Sequence, residues 1–195
     1  MEREILLTGI GGQGVQLAAR TLGLAVMAED REVMVFGTYG GSMRGGNSDV
    51  TVIVADEPIR TPPTVAGAWA GLVMHHYSWP GVSALLRPGS VVVLDTSVFR
   101  GDLGRDDLLV LGLEASTMAI DLGNPHAGSQ VALGAFAAAT GVVSLEALVG
   151  ATERALPPYR SQHIAANAEA VRKGFESVSS RLTGAWEPSK ESVTP

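Results

Sequence analysis

Apolar positions along the chain change their period several times, and each change predicts an element. Glu4 to Thr8 is a short apolar run that ends in a cluster of glycines, as a buried strand entering a tight loop would. From Val15 to Ala28 small and apolar residues continue for about four turns, which predicts a helix packed closely on a sheet. Val33 to Phe36 predicts a second strand. Asp49 to Ala55 is the cleanest β-branched run and predicts a third, ended by Asp56-Glu57-Pro58. Between them lies Gly37 to Ser48, rich in glycine and too punctuated for a helix.

That link has a topological consequence. A parallel crossover needs about a dozen residues or more and normally contains a helix. The second and third strands are therefore expected to pair antiparallel, giving a mixed sheet. After Thr61-Pro62-Pro63 an α/β rhythm resumes. Ala70 to Met74 reads as a strand, Ser78 as the cap of a short helix starting near Trp79-Pro80, and Pro88-Gly89 as a turn. Ser90 to Leu94 reads as a buried strand ending in the turn Asp95-Thr96-Ser97, and Leu108 to Leu113 as the last strand. The C-terminal third is helical: Ser129 to Ala139, Leu145 to Leu156 with Ser144 as N-cap, and His163 to Val178. No internal repeat is visible. The expectation is one Rossmann-like, three-layer α/β domain over 1–182, its sheet mixed but mostly parallel. A mobile tail is expected over 183–195, where Pro, Ser, Lys and Glu leave little to bury.

Composition narrows the function. The 195 residues carry a net charge of -6 with no basic cluster, which argues against a nucleic-acid partner. No apolar run reaches the roughly 18 residues of a membrane span, and the N-terminal stretch lacks signal-peptide organisation, so the cytoplasm is the expected location. The absence of cysteine removes disulfides, thiolate nucleophiles and cysteine-held iron-sulfur clusters from this polypeptide.

Gly9-x-Gly11-x-x-Gly14 matches the dinucleotide fingerprint and sits between a strand and a helix. Its glycines permit a tight turn, and the amides of the following helix point at an incoming anion. A dinucleotide site also needs a carboxylate near the end of the second strand to hold the ribose hydroxyls. Here that strand ends Val35-Phe36-Gly37-Thr38-Tyr39, and Glu29 and Asp30 precede it. Three readings stay open: a self-sufficient nucleotide-binding protein, glycines that serve packing alone, and a loop that meets a cofactor or partner chain in a larger complex.

Four segments bear on the choice. Gly11-Gly12-Gln13-Gly14-Val15 followed by Ala18-Ala19 resembles the opening of the gamma subunits of 2-oxoacid:ferredoxin oxidoreductases. Tyr39-Gly40-Gly41-Ser42-Met43-Arg44-Gly45-Gly46, with the strand after it, is similar to the family's Tyr-Gly-x-x-x-Arg-Gly-Gly segment. Leu86-Arg87-Pro88-Gly89-Ser90 and Gly123-Asn124-Pro125 resemble two later segments in the family's order, so the resemblance spans about residues 4 to 178. Ser42 stands where many members have Glu, and Ser129 where the family often has Asn; neither receives a family role.

The resemblance implies a subunit of a multi-subunit enzyme, nearest the 2-oxoglutarate branch. That enzyme converts a 2-oxoacid and coenzyme A into an acyl-CoA and CO2, passing two electrons to ferredoxin or a similar acceptor. This chain has neither a thiamine-binding Gly-Asp-Gly motif nor a cysteine. Thiamine diphosphate, Mg2+ and iron-sulfur clusters are therefore expected on partner subunits. The gamma chain is expected to serve assembly and part of the coenzyme A path, and to carry no catalytic residue itself.

Arg44, flanked by glycines, can hold a phosphate or carboxylate bidentately or order its own loop through an internal ion pair. Gly11, Gly12, Gln13, Gly14, Gly45 and Gly46 are cofactor or subunit contacts in the same reading. Tyr39 is a stacking residue or a packing anchor, and Asn124 an anion-binding amide or a turn residue. His75-His76 is not read as a metal site, because neighbours on a strand point to opposite faces. Arg87, Arg100 and Arg105 are read as solvated charges. The apolar helix Ala132 to Ala139 is buried in the core or at a subunit contact, and an isolated chain exposing such a surface would form a homodimer.

Overall fold

The computed structural model describes residues 1–39, 46–60, 62 and 65–187, without the side chains of Thr38 and Tyr39. Six strands form one sheet: β1 (Glu2–Ile10), β2 (Glu32–Tyr39), β3 (Asn47–Ala55), β4 (Ala68–Val73), β5 (Leu86–Asp95) and β6 (Leu109–Leu113), in the spatial order β2-β3-β1-β4-β5-β6. The glycine-rich link makes β2 and β3 an antiparallel pair, as expected, and β3 also runs antiparallel to β1. From β1 onward through β4, β5 and β6 every pair is parallel. The sheet is thus mixed and mostly parallel.

β1 is buried on both sides because it lies mid-sheet. Leu7 sits opposite Val50 on β3 and Leu72 on β4, and all three belong to the main core. Leu6 and Thr8 point to the other face. Along that main core lie α1 (Val15–Ala28) and α4 (Gly128–Thr140), with α5 (Leu145–Ala155) and α6 (Ile164–Glu176) packed on them. The second face is thinly covered. A one-turn 3-10 segment, α2 (Trp79–Ser83) and Phe99 bury a smaller cluster over β4 and β5.

α4 is nearly all small and apolar because it crosses α6 at backbone distance. A Cβ on Gly134 would overlap the Val171 carbonyl oxygen, and one on Gly174 would overlap that of Val131. The sequence-based reading of α4 as a buried helix is confirmed, since twelve of its residues are buried. Ser144 caps α5 by accepting a hydrogen bond from the Ala147 amide at 3.2 Å.

Several details differ from the sequence reading. Ser78 does not cap α2; its hydroxyl donates to Asn47 Oδ1 instead. A short helix, α3 (Ala115–Asp121), stands where no element was expected. The tail expected from 183 is packed as far as Glu187. Arg3 donates to the carbonyls of Ala185 (2.7 Å) and Glu187 (2.9 Å), and Trp186 Nε1 donates to Val142 O (3.1 Å). Arg87 is half exposed but not free, and Arg105, read as a solvated charge, is held in place. Arg87 pairs with Glu4 at 2.9 Å, while Arg105 grips Asp107 with two nitrogens and donates to the carbonyls of Ser83 and Leu86.

Candidate functional site

From β1 the chain departs through α1 toward β2, and from β4 it departs toward β5 on the other side. The carboxyl ends of β1 and β4 therefore form the divergence point where open α/β sheets hold ligands. The loop Gly9–Gly14 occupies that point. Gly12 (φ 102) and Gly14 (φ 80) adopt left-handed backbone conformations, which L side chains rarely tolerate. Gly14 is the N-cap residue of α1, and a Cβ there would lie 2.6 Å from Ser129 Oγ.

The two glycine segments singled out in the sequence touch: Gly11 N donates to Gly46 O at 2.8 Å. Tyr39 closes the β2–β3 ladder opposite Ser48, while Arg44 and Gly45 lie outside the described residues. Gln13 turns inward. Its Oε1 accepts from Ile10 N at 2.9 Å and its Nε2 donates to Met74 O at 3.1 Å, so its side-chain amide ties the end of β1 to the end of β4. Gln13→Ala removes both bonds and leaves the Ile10 amide unpaired. We expect it to lower stability by about 1–2 kcal/mol in chemical denaturation, with Gln13→Glu recovering only the Oε1 half.

Three helices begin around one cleft of about 200 Å³, lined by Gly12, Gln13, Met74, Ser116, His126 and Gly128. At the start of α3 the positive end is met by Asp95. This fully buried carboxylate accepts from Ser116 N (3.2 Å), Ser116 Oγ (2.5 Å) and Ser97 N (3.0 Å). α1 and α4 have no such partner: neither carries a side-chain cap or an acidic residue in its first turn. Among the described residues no backbone acceptor meets the amides of Gly12, Gly14, Gly128 and Ser129. Ser129 Oγ, on a residue only 1% exposed, has no hydrogen-bond partner either. Unpaired amides and aligned dipoles at two adjacent helix starts favour an anion.

Asn124 forms the turn into this cleft. Its backbone N–H donates to Ala119 O and its backbone carbonyl accepts from Ala127 N, both at 2.9 Å. Just past the end of β4, His75 and His76 do not diverge as strand neighbours would. β4 ends at Val73, and the two rings stack at 4.3 Å. Burial, then the neighbouring His76, lowers the His75 pKa; its Nδ1 accepts from the Tyr77 amide at 3.2 Å. Among the described residues no group of three or more His, Cys, Asp or Glu could hold a metal ion. The sequence reading placed Asp95 in a turn and gave Ser129 no role, and it did not single out Ser116, His126 or Gly128 for this cleft. The signals available were the strand-end Asp95 and the Asn-Pro-His turn before an apolar helix.

The chain can hold and orient an anion here, but the described cleft shows no activated nucleophile. The comparisons agree with a chain that works beside others. Residues 4–177 match the family model described as pyruvate ferredoxin/flavodoxin oxidoreductase. A 2-oxoglutarate synthase subunit KorC from Methanocaldococcus jannaschii is 28% identical over 179 residues, covering 90% of this chain and 94% of the relative. A pyruvate synthase subunit PorC from Methanothermobacter thermautotrophicus is 31% identical over 182 residues, covering 90% and 95%. Among solved structures, the gamma subunit of a keto/oxoacid ferredoxin oxidoreductase from Geobacter sulfurreducens superposes with a TM-score of 0.78 at 29% identity, covering 90% and 95%. The sequence motifs, the fold and these relatives converge, and the chain belongs to the pyruvate ferredoxin/flavodoxin oxidoreductase family, in its gamma-subunit type.

Proposed function

We propose that this chain is the gamma subunit of a cytoplasmic 2-oxoglutarate:ferredoxin oxidoreductase and lends the cleft at the starts of α1 and α4 to the coenzyme A path. The carrying observation is the pair of uncapped helix starts, with the unpartnered Ser129 hydroxyl between them. Two positive helix ends suit the phosphate groups of coenzyme A, and the left-handed Gly12, with open space at its missing Cβ, allows close approach. Gly12 and Gln13 line the cleft, Gln13 ties it to the sheet, and Gly11, Gly14, Gly46 and Asn124 stand in the loops beside it. In the same reading Tyr39, Arg44 and Gly45, the last two outside the described residues, are assigned a contact with the ligand or the neighbouring subunit.

Partner chains supply thiamine diphosphate with Mg2+ and the iron-sulfur clusters, because this chain offers no cysteine to hold a cluster. Those cofactors carry out decarboxylation and electron removal; this chain binds, orients and helps to exclude water. The exposed apolar residues Met34, Val35 and Phe36 at the β2 edge are the surface we assign to subunit contact.

His126 lines the cleft and is exposed, so His126→Glu places a carboxylate at its mouth without burying it. In the assembled enzyme this variant should raise the KM for coenzyme A about ten-fold while kcat changes little, the signature of lost binding rather than lost chemistry. An unchanged KM in an intact complex refutes the cleft's role. With the wild-type complex, 2-oxoglutarate should give the highest kcat/KM in a panel with pyruvate, 2-oxoisovalerate and indolepyruvate. A preference for pyruvate refutes the substrate assignment and leaves the subunit assignment standing.

A further inference from the structure

At the opposite end of the sheet, about 25 Å from the glycine loop at the ~3.3 Å rise of a strand residue, lies a second cavity. It measures about 530 Å³ and opens among the amino ends of β1, β4, β5 and β6. Its wall combines two kinds of group seldom left together without reason. Arg3 and Arg87 provide two guanidinium groups against the one carboxylate of Glu187, in a chain whose net charge is -6. Trp69, Leu109 and Leu182 provide apolar surface, and both leucines are among the exposed large hydrophobic residues, at 43% and 36%.

Arg3 is nine-tenths buried. It spends its Nε and Nη2 on the Ala185 and Glu187 carbonyls and lies 5.1 Å from the Trp69 ring centroid. Carbonyls satisfy hydrogen bonds but leave the charge uncancelled. Burial depresses the Arg3 pKa, Glu4 opposes that, and the Arg87 cation adds to it, so the two cations lie within electrostatic reach. Arg87, half exposed, gives Nη2 to Glu4 Oε1 and leaves the remainder of its planar fork available.

We propose that this cavity binds a small carboxylate with an apolar or aromatic tail, its carboxylate facing Arg3 and Arg87 and its tail against Trp69, Leu109 and Leu182. A carboxylate matches the guanidinium fork, and the tail covers surface that otherwise faces water. Because the cavity lies at the amino edge of the sheet, such a ligand would act from a site separate from the cleft between α1 and α4.

Phenylacetate and its uncharged isostere phenylacetamide are suitable probes on the full chain, read by the Trp69 indole NMR signal assigned with Trp69→Phe. Phenylacetate should shift that signal saturably and raise the unfolding temperature, whereas phenylacetamide should bind at least about ten-fold more weakly. Arg87→Gln should weaken phenylacetate by a similar factor, although it also strips Glu4 of its partner. Leu182→Glu leaves the Arg87–Glu4 pair intact and sets a like charge at the mouth; it should abolish binding with an unchanged unfolding temperature in the absence of ligand. No saturable shift up to millimolar probe, equal binding of acid and amide, or full binding by Leu182→Glu would each overturn the proposal.

Discussion

Gly174→Ala is expected to lower stability by about 3 kcal/mol, a fall in unfolding temperature of about 6–12 °C for a chain of this size. In an isolated helix the same change would help, because alanine is favoured over glycine by about 1 kcal/mol. The crossing of α4 and α6 reverses that sign. Gly174 stands against the Val131 carbonyl and Gly134 against the Val171 carbonyl, so each helix uses a glycine to admit the other's backbone. A methyl group on either side must separate two helices whose contact closes the core over β4 and β5. Gly150→Ala in α5 is the matched control. Nothing lies within 4 Å of its missing Cβ, and the residue is exposed, so the substitution should stabilise by about 0.5–1 kcal/mol. Thermal and denaturant unfolding of both variants checks the pair of opposite signs. A stabilised Gly174→Ala would mean the helices part freely, contrary to the packing described.

Asp95→Ala is expected to cost about 3 kcal/mol and to loosen the cleft. Asp95 is fully buried, and its carboxylate organises Ser97 and the first residue pair of α3 through Ser116 N and Ser116 Oγ. Removing it leaves those donors without an acceptor and the positive end of α3 without a counter-charge. Asp95→Asn keeps one acceptor oxygen but introduces a second set of donors, and should fall between wild type and alanine at about 1–2 kcal/mol. In the assembled enzyme both substitutions should raise the KM for coenzyme A, since Gly128 at the start of α4 packs against Ser116. A fully stable alanine variant would show that the network is ornamental to the fold.

These two cases mark where the sequence was legible. α1 was readable to its end residues because its small and apolar positions repeat at helical period beside a strand. The antiparallel β2–β3 pair followed from a link too glycine-rich to cross over. α3 was not readable: its cap is Asp95, twenty residues upstream by number, and no local residue signals the helix start. The short reach of Arg105 to Asp107 was equally hidden, because a charge pair two positions apart reads as two solvated side chains until the carbonyls of Ser83 and Leu86 are seen beside it.

The site divides in the same way. The glycines announced a tight turn at the end of β1, with Gly12 and Gly14 in left-handed conformations. The inward turn of Gln13 was invisible, since it depends on Met74 lying just past the end of the neighbouring strand. His126 and Ser129 join the glycine loop only through the return of α4 to the start of α1, more than a hundred residues later in the chain. The β1-to-α1 loop is therefore half of the candidate site, and the half that the pattern of glycines could not supply lies in the turn before α4.

The most direct test of the central claim is affinity purification of this chain from native extract, followed by assay of the eluate for dye reduction dependent on a 2-oxoacid, coenzyme A and thiamine diphosphate. The account predicts that larger chains co-purify and carry that activity, and that the chain stripped from them has none. A chain recovered alone that binds a dinucleotide saturably would contradict it and return the glycine loop to a self-sufficient nucleotide-binding protein.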